Sequence, residues 1–315
     1  MPTRDRIARS SVPSTLATLG DGWTLLMLTA LVGGRQRFSA LEQALGVPRS
    51  TLAARLRHLE EHGLVARHAY EERPPRFEYA LTERGASLLP VLALADAFDV
   101  SHGGATARLW HQPARGPAHA LLAQAHCDAC GRLVSARQVT VGYLDHAPPL
   151  AAAQRGRETP RATRARSTRQ PYRHARDVLE DAWAAKTVAA LLMGERRFTG
   201  LQHATQAAPN ILSERLGRLV ESGLLRHVSD DGQAPAYQLS ARGLALYPLV
   251  VALIAYGDAQ RGRPSLTLTH ACGAPLVLRL GCGACPKRST EARRLLQIGV
   301  SFAMQAEPCA TRTRT

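Results

Sequence analysis

Histidine and cysteine residues are concentrated in one short stretch of the second half of the chain. His270, Cys272, Cys282 and Cys285 follow the pattern H-x-C-x(9)-C-x-x-C. Neighbouring glycines allow backbone amides to approach the thiolate sulfurs, and four nitrogen and sulfur ligands in two pairs suit tetrahedral zinc. The spacing therefore predicts a single zinc ribbon formed by these four side chains.

A less complete version of this pattern lies in the first half. Cys127 and Cys130 form another C-x-x-C, 155 residues before the one in the second half. Its upstream pair is incomplete, because Pro113 stands where the upstream cysteine would be. Three histidines could complete a weaker site: His111, His119 and His126.

Three interpretations of the cysteines remain open at this point. The first is a structural zinc site. The second is a thiol switch, in which a C-x-x-C closes to a disulfide under oxidants, because such motifs lower the pKa of a thiol. The third is a set of small apolar side chains in a loop with no ligand. Cys309 stands alone in the tail, and we expect it to be unstructured.

Catalytic motifs are absent from the sequence. It contains no glycine-rich phosphate loop, no G-x-S-x-G and no H-E-x-x-H. Acidic residues such as Glu60 and Glu61 are spread along helix surfaces and are best explained as solvated. The sequence thus indicates a binding protein rather than an enzyme.

The elements that must position such sites are clearest between residues 38 and 81. A short amphipathic helix is predicted at 38–45, and Gly46 and Pro48 end it. A second helix over 49–61 places three leucines on one face, while its other face carries small residues flanked by arginines. Small side chains let a helix approach a surface closely, and arginines bind phosphate or guanine.

A hairpin follows that second helix. Strands are predicted at 65–71 and 77–81, and the proline-rich tip between them cannot donate to a strand ladder. Helix, turn, helix and hairpin together predict a winged helix-turn-helix fold with its second helix in a DNA major groove. We expect Arg55 to support the fold or to contact a phosphate rather than to read a base.

The flanking segments are predicted to be helical in part. A basic arm with Arg4, Arg6 and Arg9 precedes an apolar scaffold helix that starts after Asp21. Thr82 opens a last helix, predicted to be continuous to Phe98, which either forms a dimer surface or closes its own core.

An internal repeat sets the architecture. A shift of 160 residues superposes Trp23 on Trp183, and beyond the hairpin a shift of 158 superposes Tyr79 on Tyr237. The chain is therefore a tandem duplication. The predicted segments are a first winged-helix domain at 1–100, a C-x-x-C extension at 101–145, an arginine-rich linker at 146–176, a second winged-helix domain at 177–260, a His/Cys extension at 261–300 and a tail at 301–315.

The two copies differ in charge. The second carries Glu214 and Gly217 on its recognition helix, and Asp230 and Asp231 at the tip of its hairpin, so we expect it to bind DNA more weakly. Arg215, like Arg55, is expected to support the fold or to contact a phosphate. The predicted DNA-contacting residues are Arg37, Arg49, Ser50, Thr51, Ala53, Ala54, Arg57, Arg73, Arg76, Asn210, Ser213 and Arg218.

Composition agrees with a polyanionic partner. The net charge is +15, and the pI is about 10.5. Lysine occurs only twice, so a GC-rich genome is a second explanation for the arginine content.

Residues 154–176 hold eight arginines against one acid, which predicts a mobile linker that attracts DNA. No signal peptide or long apolar run is present, so we expect a cytoplasmic protein without membrane association.

At these positions the sequence resembles the HxlR family of bacterial winged helix-turn-helix transcriptional regulators. The matching strings are LAARL, LEEHGLVAR and PPRFEYALTERG in the first copy, and LSERL, ESGLL and AYQLSARG in the second. The resemblance implies a mainly α, α+β winged-helix fold, double-stranded DNA as partner and a small-molecule or redox effector. It also implies a fused dimer, alone or as half of a homodimer.

One departure from the family concerns oxidant sensing. Where the family has a sensing cysteine, it lies near the start of the domain, and neither copy has a cysteine there. The alternative function is a protein-interaction adaptor, in which one or both winged helices no longer bind DNA.

Overall fold

The computed structural model describes residues 2–19, 21–73, 75–103, 107–113, 116–143, 172, 174–228, 236–285 and 298–300. Buried apolar side chains from both repeats form one continuous core. The first repeat contains α1 (Thr3–Arg9), α2 (Val12–Leu19), α3 (Gly22–Leu31), β1 (Gln36–Arg37), α4 (Phe38–Leu45), α5 (Arg49–Glu61), β2 (Val65–Glu72), β3 (Pro75–Leu81), α6 (Glu83–Ala86) and α7 (Leu89–Ser101).

The helix-turn-helix of the first repeat has the predicted bounds. Gly46 adopts a left-handed conformation (φ +60°) after α4, and this ends the helix before α5 begins. Leu52, Leu56 and Leu59 of α5 are buried, since their spacing places them on one face toward α3. The hairpin β2–β3 follows, and β1 extends it to a three-stranded sheet in the order β1-β3-β2.

The end of the first winged helix differs from the prediction of one continuous helix after Thr82. Thr82 caps α6 by accepting a hydrogen bond from the Gly85 amide at 3.0 Å, but that helix stops at Ala86. A new helix, α7, begins with Pro90 in its first turn. Proline lacks an amide hydrogen, and the first turn of a helix is where that loss costs least. The prediction of a single helix is wrong at this break.

The extensions are built from short strands. From its scaffold helix onward the second repeat follows the order of the first, except that among the described residues an isolated bridge between Arg197 and Ala236 stands in place of β1. The first extension holds β4 (Leu109–His111), β5 (His119–Ala120), β6 (Ala123–Cys127) and β7 (Val139–Tyr143). The second repeat contains α8 (Arg176–Leu179), α9 (Ala182–Leu192), α10 (Phe198–Thr205), α11 (Pro209–Glu221), β8 (Leu225–Val228), β9 (Ala236–Leu239), α12 (Ala241–Leu244) and α13 (Tyr247–Arg261). The second extension holds β10 (Leu266–His270), β11 (Leu278–Cys282) and β12 (Ile298–Val300).

The basic arm at the N-terminus is helical and packs on the other repeat. Both α1 and α2 contact α9, and α2 also crosses α13. At this crossing the Ser11 hydroxyl donates to the Ile254 carbonyl at 2.9 Å, and a Cβ on Gly257 would lie 2.5 Å from Ser11. The glycine therefore permits the close approach of the two helices.

The segment before the second repeat makes the reciprocal contact with the first repeat. Tyr172 is fully buried and its hydroxyl hydrogen-bonds to Thr29. The amides of His174 and Ala175 donate to Asp99 Oδ1 at 2.9 and 3.0 Å. Residues 144–171 and 173 lie outside the described part of the chain. The predicted linker ends at residue 176, and its described last residues are 172 and 174–176. For these residues the prediction of a mobile linker is wrong, because they are held in the core.

The long helices that close the two winged domains pack against each other. Helices α7 and α13 are in contact, and their inward side chains, among them Leu92 and Leu253, are fully buried. The last helix was predicted either to form a dimer surface or to close its own core, and the structure shows it in contact with the equivalent helix of the other repeat. The same side chains also close the core.

Strand pairs join the extensions of the two repeats, and β4 also pairs with β5 within the first extension. β6 pairs with β11, β7 with β10, and β4 with β12, all antiparallel. In the β6–β11 ladder Ala125 faces Leu280, its own counterpart at the 155-residue shift. A local twofold axis therefore passes between these two residues.

One helical stretch, Ala241–Arg261, is long and apolar enough to cross a membrane by length and composition. Of its most apolar window, 61% is buried inside the protein. This burial is typical of the core helix of a folded domain.

Candidate nucleic-acid interface and metal centres

The outward face of α5 is the candidate DNA surface of the first repeat. Ser50, Ala54 and Arg57 are exposed, whereas the leucines on the opposite face are buried. No carboxylate within the described residues forms an ion pair with Arg57. Its guanidinium is therefore available to phosphate or to the edge of a guanine.

Other predicted arginines of the first repeat lie around this face in exposed ion pairs. Arg49 contacts Glu42 at 3.2 Å, Arg37 contacts Glu78 at 3.1 Å, and Arg76 contacts Glu71 at 3.2 Å. Such exposed pairs contribute little energy, so phosphate can replace the carboxylate at small cost. Arg73 is exposed near the tip of the hairpin. Thr51 and Ala53 are half-buried beside the exposed face.

The equivalent face of α11 has the same shape but a different charge. Asn210, Ser213, Glu214 and Gly217 are exposed there. Glu214 stands where the first repeat has alanine, and Gly217 replaces Arg57. The face has lost one positive charge and gained one negative charge. The acidic hairpin tip expected at Asp230 and Asp231 lies outside the described residues.

Arg218 was expected to contact DNA, but its guanidinium is directed to acidic side chains of its own repeat. It lies 3.0 Å from Asp177 and 3.8 Å from Asp181. These pairs hold the arginine against the start of α9 and away from the exposed face of α11.

Of the two roles expected for Arg55 and Arg215, support of the fold is the one seen in the structure. Arg55 forms an ion pair with Asp21, and Arg215 forms the corresponding pair with Asp181. Each aspartate also caps a scaffold helix, α3 or α9. Each arginine thus fastens a recognition helix to the scaffold helix behind it.

The predicted metal ligands form two groups rather than one ribbon. The three-cysteine group contains Cys127, Cys130, His270 and Cys272. The two-cysteine group contains His111, His119, Cys282 and Cys285. Within each group the potential ligand atoms all lie within 4.8 Å of one another. The prediction of one site for His270, Cys272, Cys282 and Cys285 is therefore wrong in its grouping, because the extensions exchange ligands across the local twofold axis.

Distances within the three-cysteine group fit a tetrahedron. The two sulfurs of Cys127 and Cys272 are 3.9 Å apart, and His270 Nδ1 lies 3.4 Å from Cys130 Sγ and 3.3 Å from Cys272 Sγ. Zinc bond lengths imply tetrahedral edges of about 3.8 Å between two sulfurs and about 3.6 Å between sulfur and nitrogen. The four side chains are therefore placed as ligands of one ion.

The two-cysteine group has equally suitable dimensions. His111 Nδ1 and His119 Nε2 are 3.3 Å apart, and each lies near Cys285 Sγ, at 3.2 and 3.5 Å. His119 Nε2 is also 3.3 Å from Cys282 Sγ. His119 replaces the upstream cysteine that the first extension lacks. His126 is outside both groups, with its Nδ1 2.9 Å from the Gly131 carbonyl oxygen.

Thiol acidity differs between the two cysteines of the first C-x-x-C. Hydrogen bonding from the backbone of Arg132 lowers the pKa of Cys130 to about 7. Burial raises the pKa of Cys127. Gly131, in a left-handed conformation (φ +71°), closes the turn with its amide 2.8 Å from the Cys127 carbonyl oxygen. The turn thus presents both sulfurs on one side.

Comparison with known proteins decides the family. The sequence pattern of the HxlR-like helix-turn-helix family matches residues 18–102 and 178–264, which together are more than half of the chain. This chain belongs to the HxlR-like family. The prediction of a winged helix-turn-helix regulator present as a tandem duplication is confirmed.

Curated HxlR-like relatives are described as HTH-type transcriptional regulators. One from Mycobacterium tuberculosis (strain H37Rv) is 37% identical over 139 residues, which cover 43% of this chain and 86% of the relative. YtcD of Bacillus subtilis is 34% identical over 93 residues, covering 29% of this chain and 74% of the relative. These findings support a DNA-binding regulator over the adaptor alternative.

Solved structures similar to this chain include a redox regulator and a protein treated with diamide. A structure described as the redox regulator HypR in its reduced form is 30% identical, covers 30% of this chain and 94% of that chain, and has a TM-score of 0.29. Diamide-treated YodB from B. subtilis is also 30% identical, covers 28% of this chain and 88% of that chain, and has a TM-score of 0.25.

Sequence reasoning found every cysteine of the two groups but not their pairing. Potential ligands separated by only nine intervening residues, such as Cys272 and Cys282, are readily assigned to one ion. The available signal was the repeat itself. Two equivalent C-x-x-C motifs on strands that pair about a twofold axis must lie on opposite sides of that axis, so each meets the upstream residues of the other extension.

Proposed function

We propose that this HxlR-like regulator reads DNA mainly through α5 of its first repeat, with Arg57 near the centre of the contact. The observation that carries this proposal is the exposed face of α5, where small side chains surround an arginine that has no carboxylate partner in the described part of the chain. Arg73 and Arg76 at the hairpin would contact the flanking phosphate backbone.

The second repeat is proposed to contact a second half-site more weakly. Asn210 and Ser213 of α11 retain hydrogen-bonding groups for bases or phosphates. Glu214, however, places a carboxylate on the face that would approach phosphate, and the approach is repelled. The two repeats would act as a pseudo-dimer, because α7 and α13 already pack together within one chain.

Zinc is proposed as the metal of both His/Cys groups. The ligand sets, three cysteines with one histidine and two of each, are those of structural zinc sites. Four protein ligands leave no open position for a substrate, so the proposed role is structural and the protein is proposed not to be an enzyme. Thiolate ligands require reduced cysteines, which agrees with action in the cytoplasm, where the DNA lies.

Any effector is proposed to act through the two His/Cys groups and the paired extensions that carry them. The cysteine groups link the two repeats, so a redox or metal signal received there would reach both DNA-binding domains. A small molecule or a second copy of the chain would act on the same arrangement, by changing how the two recognition helices are held.

The test is selection of duplexes from a random DNA pool by the full chain at moderate ionic strength. We expect a defined motif to be enriched, and we expect Arg57→Glu to abolish the enrichment. Arg263→Glu is the matched control, since Arg263 is exposed after α13, outside both recognition helices, and the variant makes the same charge change. Equal loss in both variants, or no enriched motif with the unaltered chain, contradicts the proposal.

A further inference from the structure

Each His/Cys group takes two ligands from each repeat. Cys127 and Cys130 come from the first extension, whereas His270 and Cys272 come from the second. In the two-cysteine group the histidines come from the first extension and the cysteines from the second. An ion bound at either group would therefore connect residues more than 140 positions apart in sequence.

The two groups are related by the local twofold axis of the β6–β11 ladder. At the 155-residue shift Ala123 corresponds to Leu278, and Cys127 corresponds to Cys282. In the ladder Ala123 faces Cys282 and Cys127 faces Leu278, as a twofold axis requires. The cysteines at opposite ends of the paired strands thus point to different groups. Two ions, one bound at each group, would hold the ladder at both ends. We call this arrangement, in which each ion is bound by both repeats, the clasp.

The strands that carry the ligands are attached firmly to the winged-helix domains. On the first side, Asp96 of α7 accepts hydrogen bonds from the amides of Arg108 and Leu109 at 3.0 and 3.1 Å. Arg108 also forms a largely buried ion pair with Asp96, at 3.1 Å. This fixes the start of β4, which contains His111, relative to α7.

On the second side, the start of β10 is attached to both repeats. Ser265 is buried, and its hydroxyl lies 3.3 Å from the amide of Ser11 in the first repeat. β10 leads directly from α13 and ends at His270. The extensions therefore cannot change their mutual position without moving α7, α13 or α2.

We propose that two zinc ions clasp the repeats across this axis and thereby fix the separation and orientation of α5 and α11. The DNA part of this inference rests on the proposed function, whereas the clasp itself does not. Two DNA-binding domains held at one spacing bind a two-half-site duplex more tightly than the same domains held loosely, without any new contact. Metal occupancy and affinity for such a duplex are therefore coupled, each raising the other.

Cobalt(II) bound to the full chain in place of zinc distinguishes the clasp from a ribbon within one repeat. The charge-transfer absorption of thiolate-bound cobalt increases with the number of thiolates. The unaltered chain should bind two ions, with five thiolates in total. The decisive variant is Cys127→Ser with Cys130→Ser.

In the clasp this double variant destroys the three-cysteine group, so one ion remains and its spectrum is that of two thiolates. In a ribbon formed by His270, Cys272, Cys282 and Cys285, the remaining ion would retain three thiolates, and that result overturns the proposal. The matched variant, Cys282→Ser with Cys285→Ser, should leave one ion with three thiolates. In the same variant, a ribbon formed by His270, Cys272, Cys282 and Cys285 would retain Cys272 as its one thiolate ligand.

The coupling is measured with duplexes obtained by selection with the zinc-loaded chain. Removal of zinc by a chelator should weaken binding to a two-half-site duplex by about tenfold, with little change for a single half-site. Equal affinity with and without zinc overturns the coupling. If the loaded chain selects no duplex at all, the proposed function fails, and the cobalt titration still judges the clasp by itself.

Discussion

The two recognition helices have one architecture and two different surfaces. Both α5 and α11 are 13 residues long, and each buries three leucines at matching positions. Their exposed faces differ, because Arg57 and Ala54 of the first repeat correspond to Gly217 and Glu214 of the second. Core positions are fixed by packing, whereas exposed positions can change without loss of the fold. Duplication has thus preserved the scaffold and allowed one reading surface to diverge.

The extensions show the opposite behaviour. Neither is complete alone, because each C-x-x-C meets the upstream ligands of the other extension. Pro113 stands where the second extension has Cys272, and His119 on the neighbouring strand is the fourth potential ligand of the two-cysteine group. Each group thus has four potential ligands, although the two extensions differ in sequence.

The largest expected effect concerns the shared scaffold. Leu56→Ala and Leu216→Ala each remove a side chain that is 1% exposed, and each should lower the free energy of unfolding by about 2–5 kcal/mol. The two costs should be equal within about 1 kcal/mol, since the sites are equivalent. Urea denaturation followed by circular dichroism gives both values. A much smaller cost for one leucine would show that the cores are not equivalent.

The next effect concerns Glu180, whose carboxyl group is hydrogen-bonded by the backbone of Gly22 in the first repeat. Burial raises the pKa of Glu180 to about 7, although Arg176 lies 3.5 Å away. A carboxyl group whose pKa is raised by folding stabilises the native state only while protonated. Stability should therefore fall as the pH rises from about 4.5 to about 7, by up to about 3 kcal/mol.

Glu180→Gln should remove this part of the pH dependence, because glutamine stays neutral throughout the range. Glu221→Gln is a suitable control, since Glu221 is exposed at the end of α11. Thermal melting at a series of pH values measures the difference. An unchanged slope in Glu180→Gln would mean that this carboxyl group is ionised in the folded protein.

A smaller effect should come from giving the second helix the surface of the first. Glu214→Ala combined with Gly217→Arg removes a repelling carboxylate and adds a guanidinium. Affinity for a selected two-half-site duplex should rise by about tenfold, that is about 1.4 kcal/mol, at low salt. Fluorescence anisotropy measures the change. Unaltered affinity would indicate that α11 does not approach DNA in the complex.

Much of the local structure could be predicted from the sequence. The bounds of α4 and α5 follow from leucine spacing and from Gly46, since these signals depend on neighbours along the chain. The break at Pro90 and the helical arm were missed. The arm is stabilised by contacts with α9 and α13, which are distant in sequence, and local patterns carry no information about such contacts.

The sites could be predicted by residue type but not by arrangement. The cysteines of the two groups are all predicted as candidate ligands, four from C-x-x-C spacing and Cys272 from the H-x-C that precedes the second motif. Their partners are not, because the exchange depends on how the strands pair about the twofold axis. Tyr172 shows the same limit in the core. Its arginine-rich surroundings predict a mobile linker, yet the ring fills a site beside Thr29 in the other repeat.

Placing the same residue at the same position of both helices tests the difference between the repeats most directly. Arg57→Glu and Gly217→Glu each put a carboxylate on the exposed face of a recognition helix, and their affinities for the selected duplex can be compared with that of the unaltered chain. Our account predicts that Arg57→Glu weakens binding at least about ten times more than Gly217→Glu does. Equal losses, or a larger loss with Gly217→Glu, would contradict the dominance of the first repeat.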